Sequence, residues 1–241
     1  MKILIFGATG FIGENLALFF STDNKVDVAK ISDDNAILIN KIEKADVIIN
    51  ASGVSRSDSE NDFFFYNIYH SQRIFSLINK FEDKMYIYFS SIHYSVDSIY
   101  GFSKRYNEFL LTELDFKEKN NFLCLRIPSI FGPGVKPNYV SVVATFCNNI
   151  VNKIDSNIIN GSKMLKLLFI DDLIHCVNSR IRNKKNNGFE LIELFPETVE
   201  ISVNDLFQTI KNIGFNGVDI NNKDKFLYNL FVTYNFYLNK L

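Results

Sequence analysis

Cysteine is scarce in this sequence: Cys124, Cys147 and Cys176 are odd in number and lack metal-ligand spacing, which argues against a disulfide framework and a zinc site. Buried free thiols are expected instead. Charge of one sign is also missing, because 26 Lys and Arg stand against 27 Asp and Glu with no long basic run. That balance leaves no electrostatic footprint for a nucleic-acid backbone or an anionic membrane, and it favours a small-molecule partner. No apolar run approaches the roughly 18 residues of a membrane span. The apolar start, Met1 to Phe6, is ended by Gly7 before it reaches the length of a signal segment, so the expected compartment is the cytoplasm. The Asn-x-Ser sequons at Asn50 and Asn160 carry no weight there. Repeats and low-complexity tracts are lacking too.

What is present suits one α/β core with a small appendage: 241 residues, 47% of them hydrophobic. Apolar runs rich in Val and Ile predict strands at Lys2 to Phe6, Val26 to Ile31, Asp46 to Asn50, Met85 to Ser90 and Phe122 to Ile127. Helical spacing of Leu, Ile and Phe marks Phe11 to Ser21, Ala36 to Lys44, Phe64 to Phe81 and Tyr100 to Lys119. Strand and helix in alternation predict a parallel sheet with helices on both faces. From Pro133 the alternation loosens. A loop at Asn183 to Gly188, a strand at Phe189 to Leu194, and helices at Ser202 to Ile213 and Lys223 to Leu238 complete the reading. The last helix carries Phe226, Tyr228, Phe231, Tyr234, Phe236 and Tyr237, so either the body of the protein or another subunit must cover it.

Between the first strand and first helix lies Gly7-Ala8-Thr9-Gly10-Phe11-Ile12-Gly13. Glycines there let the backbone turn tightly, approach a pyrophosphate and pack helix on strand, while the helix N-terminus offers free N–H groups to the anion. At the end of the second strand a dinucleotide's ribose meets Lys30 and Ser32, where many NAD enzymes place an acid. A cation suits a 2′-phosphate, which favours NADP(H) over NAD(H); Asp33 and Asp34 are the alternative partners of an unphosphorylated ribose. The third strand ends in Ala51-Ser52-Gly53, small residues that let a cofactor lie against the backbone.

Tyr100 and Lys104 are one helical turn apart and share a face. A phenol, with a pKa of about 10 when free, serves proton transfer near neutrality only with help, and an ammonium gives it. Ser91 ends the strand before them, at the carboxyl edge where α/β enzymes place their sites.

In this order behind a glycine loop, these elements resemble the extended branch of the short-chain dehydrogenase/reductase superfamily, that of the NAD-dependent epimerases and dehydratases. The resemblance covers about residues 1 to 182. It implies a Rossmann-type doubly wound sheet, with a dinucleotide-binding core at 1–132. The 133–241 segment would be mostly a smaller substrate-binding portion, with some elements returning to the core. It assigns catalysis to Ser91, Tyr100 and Lys104, places Tyr100 and Lys104 at the cofactor as well, with Lys104 on the nicotinamide ribose, and assigns a helix asparagine at the cofactor to Asn67. Arg126 to Gly134 resembles the segment flanking the nicotinamide and opening the sugar site, with Ile127 and Ser129 at the cofactor and Ser129 where relatives carry Asn. Phe169 to Leu173 resembles a structural helix start. His93 stands where a fucose-synthase-type relative has a cysteine, with a chemical role or a lining role open to it.

Tyr100 follows Ser91 by only nine positions, and together with Lys136-Pro137-Asn138-Tyr139 and Val143 to Cys147 this is similar to the reductase domain of CapF-type capsular polysaccharide enzymes. That similarity implies NADPH-dependent reduction of a nucleotide-linked 4-keto-6-deoxy sugar, UDP- or dTDP-bound, contacted by Ser91, His93, Ser129, Lys136, Asn138 and Tyr139. It implies no metal, a homodimer through the two long helices, and a separate upstream epimerase or dehydratase, since no cupin follows. A 4-epimerase with tightly bound NAD and a non-catalytic dinucleotide sensor are the alternative readings.

Overall fold

The computed structural model describes residues 1–115, 119–184, 187–217 and 224–240. The chain folds as two compact units: Met1–Ile127 with Ile174–Leu194, and Pro128–Leu173 with Phe195–Leu241.

The first unit runs β1 (Lys2–Phe6), α1 (Phe11–Ser21), β2 (Lys25–Ala29), α2 (Asn35–Lys44) and β3 (Val47–Asn50). A short turn, α3 (Glu60–Asp62), leads through a π-helical stretch, Phe63–Tyr69, into α4 (His70–Ile78). Next come β4 (Met85–Ser91), a 3₁₀ turn (Ile92–Ser95), α5 (Ile99–Asp115) and β5 (Asn121–Ile127). With β8 (Gly188–Ile192) at the far edge, six parallel strands are ordered β2-β1-β3-β4-β5-β8, so the strand order reverses between β1 and β3. This is the doubly wound sheet that the alternating pattern predicts.

Side chains alternate across the strands. Leu4, Phe6, Ile48, Tyr86, Tyr88, Phe122 and Cys124 form one core with Leu38 and Ile42 of α2, Ile74, Phe75 and Ile78 of α4, and Leu111 of α5. Ile3, Ile5, Ile49, Ile87 and Leu125 are buried on the opposite face. Both tyrosines are fully buried on β4 and keep partners for their hydroxyls: Asn50 Nδ2 donates to Tyr86 at 2.8 Å and Asn107 Nδ2 to Tyr88 at 2.9 Å. A buried phenol without such a partner would cost on the order of 1–3 kcal/mol.

The second unit begins with β6 (Ser129–Phe131), α6 (Val142–Val151) and β7 (Met164–Phe169). Helix α7 (Ile170–Arg182) follows at once, and its C-terminal part, with β8 (Gly188–Ile192), belongs to the first unit. β9 (Val199–Ser202), α8 (Val203–Asn216) and α9 (Lys225–Leu238) finish the second unit. Its sheet, β6-β7-β9, pairs β6 and β7 parallel and β7 and β9 antiparallel. Helices α6, α8 and α9 pack on one another, with Phe146 edge-on to Phe207 at 5.1 Å between ring centroids. The aromatic last helix is thus partly covered within its own unit. Tyr234 and Tyr237 are buried, and Tyr237 donates its hydroxyl to the Val135 carbonyl.

Several boundaries differ from expectation. β2 stops at Ala29 rather than Ile31, because the Ile31 and Asp33 carbonyls are taken by Arg73 of α4. The helical region before β4 starts at Glu60, four residues early, and ends at Ile78. Elements β6, α6, β7 and β9 fall where the alternation looked loose. The expected start of the last helix at Lys223, residues 116–118 of the expected helix Tyr100 to Lys119, and Lys185 and Asn186 of the expected loop lie outside the described residues. Among the described residues no helix is long and apolar enough to cross a membrane, and no His/Cys/Asp/Glu group could hold a metal.

Candidate active site

Parallel strands put the carboxyl ends of β1, β3, β4 and β5 on one edge, and the reversal of strand order beside β1 opens a crevice there. Two glycines of the loop after β1 are demanded by space. Gly7 has φ +79°, and a Cβ on it would lie 2.6 Å from the Ala51 carbonyl and the Ser52 nitrogen, so it lets the loops after β1 and β3 touch. A Cβ on Gly13 would lie 2.1 Å from the Gly7 oxygen. Gly10 is the N-cap of α1, with no side chain to close the helix end. Thr9 and Gly10 are exposed, and Phe11 and Ile12 are half-buried. Uncapped N–H groups behind a loop that admits no Cβ fit a dinucleotide's pyrophosphate.

The loop after β3 is fixed from both sides. Asn50 Oδ1 accepts the Ser52 N–H at 3.1 Å and also takes the Ser52 hydroxyl. Gly53 has φ +129°, and a Cβ there would stand 2.7 Å from Asn67 Oδ1. Asn67 lies in the π-helical stretch and is buried. Its amide accepts the Val54 N–H at 2.7 Å, and donates to the Val54 carbonyl at 2.9 Å and to Ser103 Oγ at 3.2 Å. The side chain therefore ties the β3 loop to α5.

Gly101 explains how Tyr100 reaches the strand edge. A Cβ at 101 would be 2.2 Å from the Val96 oxygen and 2.9 Å from that of His93, so only glycine lets α5 start against the 3₁₀ turn that follows β4. Arg105 donates to the carbonyls of Tyr94 and Val96 and holds that turn. Ser91 is buried, and its Oγ accepts the His93 N–H at 3.1 Å, which leaves the hydroxyl's own hydrogen without an acceptor among the described residues. Tyr100 is half-buried, edge-on to Phe63 at 6.3 Å between centroids, and its hydroxyl likewise has no hydrogen-bond partner among the described residues.

Lys104 is buried and donates to the Phe89 carbonyl at 2.8 Å, with its ammonium 5.0 Å from the Tyr88 ring centroid and 5.5 Å from that of Tyr100. Burial disfavours its charge, but the two phenols outweigh burial and its pKa is raised, so the ammonium keeps its proton. Burial pushes the Tyr88 phenol up, which keeps it neutral beside that charge. Further back, Arg126 pairs with Glu108 at 2.6 Å and with Glu193, and lies 3.5 Å from the Tyr94 ring centroid. Nearer the glycine loop, burial and the neighbouring Arg73 hold His70, which packs on Phe6, down to about 4.

The structure thus brings Gly7, Gly10, Gly13, Ala51, Ser52, Gly53, Asn67, Ser91, Tyr100 and Lys104 to one end of the first unit. Lys30 is exposed directly after β2, His93 is exposed beside Ser91, and Ile127 is buried at the end of β5. The remaining predicted residues lie in the second unit. Ser129 is exposed on β6 opposite Leu167. Lys136, Asn138 and Tyr139 share one exposed turn, with the Lys136 ammonium 5.7 Å over the Tyr139 ring and Asn138, at φ +56°, donating its N–H to Thr145 at 2.9 Å. Asp172, buried in the first turn of α7, pairs with Lys225 beside a cavity of about 250 Å³. Asn50, Gly101, Ser103 and Asn107 support the site without having been singled out. Only Gly101, between Tyr100 and Lys104, carried a readable signal.

The chain matches the model of the NAD dependent epimerase/dehydratase family over residues 3–191. It is 31% identical over 216 residues to a UDP-2-acetamido-2,6-beta-L-arabino-hexul-4-ose reductase of Pseudomonas aeruginosa, across 87% of this chain and 57% of that protein. Among solved structures, the capsular polysaccharide assembling protein CapF of Staphylococcus aureus matches with a TM-score of 0.83 at 26% identity, over 99% of this chain and 66% of that one. A UDP-glucuronic acid 4-epimerase of Bacillus cereus in complex with NAD matches with a TM-score of 0.85 at 16% identity, over nearly all of both chains, a likeness of fold alone. The chain spans less than two thirds of the length of the first two of these relatives.

Proposed function

The chain belongs to the NAD dependent epimerase/dehydratase family, and from that premise we propose that it reduces the 4-keto group of a UDP-linked 6-deoxy sugar with NADPH. The observation that carries this reading is Tyr100, whose hydroxyl is unengaged while the charged, buried ammonium of Lys104 stands 5.5 Å from its ring.

Gly7, Thr9, Gly10, Phe11, Ile12 and Gly13 would hold the pyrophosphate, and Ala51, Ser52 and Gly53 the adenosine side. Lys30 would meet the 2′-phosphate, and Ile127 and Ser129 the nicotinamide end. The bound dinucleotide supplies a hydride for C4. Everything else falls to the chain. Tyr100 delivers the proton to the C4 oxygen, contributing roughly 10²–10⁴-fold as a positioned acid. Ser91 donates its free hydroxyl hydrogen to the same oxygen and stabilises the charge that develops there. Lys104 keeps a positive charge behind Tyr100, where the departing proton leaves a phenolate. Lys136, Asn138 and Tyr139 are assigned to the sugar nucleotide, and His93 to the sugar beside Ser91.

The test is NADPH oxidation, followed by loss of its near-ultraviolet absorbance, with UDP- and dTDP-4-keto-6-deoxy sugars generated in place by a dehydratase. Stoichiometric loss with the UDP sugar is expected. No net loss, with NAD released on denaturation, would replace the reductase by a 4-epimerase.

A further inference from the structure

The loop that joins β2 to α2 holds two acids and one base, and the structure treats them differently. Asp33 turns its carboxylate inward: Oδ2 accepts the Lys30 N–H at 3.0 Å and the Lys41 ammonium at 3.0 Å, and the side chain is only 12% exposed. Lys41 reaches it from α2 and also donates to the Val28 carbonyl at 2.6 Å. Asp34 is spent on the helix, where its carboxylate caps α2 through the Ile37 N–H at 2.8 Å. Arg73 of α4 fixes the backbone, donating to the Asp33 carbonyl at 2.6 Å, to the Ile31 carbonyl and to the Asn35 side chain. Lys30 is exposed, and its ammonium makes no hydrogen bond or ion pair among the described residues, although its charge also favours the Asp33 anion. Although burial pushes Asp33 up, the Lys30 N–H and Lys41 together hold it below the usual carboxylate range, so it stays an anion already matched by a cation.

A carboxylate at this edge serves a free ribose by accepting from its hydroxyls, and it repels a 2′-phosphate. A chain with Asp33 in the loop therefore needs a reason to take the phosphorylated cofactor. We propose that Lys41, which need not touch the dinucleotide, sets that preference by neutralising and withholding Asp33, so that Lys30 is the group the adenosine ribose meets. The inference rests on the reading that a dinucleotide binds this edge.

The test is equilibrium binding of NADPH and of NADH, read by their fluorescence without substrate, to the whole chain and to four variants. The unaltered chain should favour NADPH. Lys41→Met should lower the NADPH-to-NADH affinity ratio about tenfold, the scale of one unit charge acting near a partly exposed site. Adding Asp33→Asn to it should restore the ratio. Asp33→Asn alone should leave NADH affinity unchanged, because the withheld carboxylate does not meet the ribose, a result that stands even if Lys41→Met folds poorly. Lys30→Ala should weaken NADPH and spare NADH. No binding of either nucleotide would remove the reading of this edge itself, and a preference for NADH would remove the NADPH assignment with the inference. NADPH preference with an unchanged ratio in folded Lys41→Met, or weakened NADH binding in Asp33→Asn alone, would overturn the role of Lys41 only.

Discussion

In the first unit the residues that frame the assigned chemistry are buried and interlocked. Asn67 bridges Val54 and Ser103, Ser103 bonds the Tyr100 carbonyl, and Lys104 bonds the Phe89 carbonyl. In the second unit the residues assigned to the sugar nucleotide lie on an exposed turn, where Lys136 leans over Tyr139 and one backbone N–H meets Thr145. The difference teaches that a proton donor must be held to a fraction of an ångström, and buried hydrogen bonds do that. A surface that selects among sugars can change at little cost to folding, because exposed side chains away from special features carry little stability.

Three substitutions probe that contrast. Tyr100→Phe should lower turnover roughly 10²–10⁴-fold, leaving NADPH affinity and melting temperature in place, because it removes one proton and almost no volume. Retained turnover, measured by NADPH loss, would break the assignment of chemistry to the first unit. Gly13→Ala should destabilise the chain by about 1–3 kcal/mol in a urea titration, because its Cβ meets the Gly7 oxygen and cannot be accommodated without a shift of backbone. Its dinucleotide binding should fall as well. Lys136→Ala should raise the KM for the sugar nucleotide about tenfold, with kcat kept and stability changed by less than about 0.5 kcal/mol. A large loss of stability there would show that the exposed turn is as tightly tied as the buried network.

The same contrast governs what could be read from the sequence. Gly7 and Gly13 were legible because backbone geometry forces glycine there at fixed spacing, and Tyr100 and Lys104 because one helical turn fixes their separation. The purely parallel sheet followed from alternation alone. Helix α6 was not legible, since Val142-Val143-Ala144-Thr145-Phe146-Cys147 is rich in residues with weak helix preference and only its tertiary packing makes it a helix. β7 passes into α7 between Phe169 and Ile170 with no glycine or proline to mark the change, and that helix start was found by the resemblance of Phe169 to Leu173. The fate of Asp33 was hidden for another reason: its partner sits eight positions on, in the next helix, and nothing local declares the pairing. Asn67 was found by resemblance, but its ties to Val54 and Ser103 needed the fold.

The last strand of the large sheet, β8, pairs with β5 only after the chain has travelled through residues 128–187. On a ribosome the first five strands are therefore complete long before the sixth emerges, and the outer edge of β5 stands open meanwhile as an unpaired row of N–H and C=O groups. Closing it is a nonlocal step, the kind that slows folding and leaves time for wrong pairing. A nascent chain halted anywhere between Ile127 and Gly188 carries the whole glycine loop and the Tyr100 helix on a sheet with a sticky edge. Completion of this sheet is thus decided by a five-residue strand with no assigned part in the chemistry.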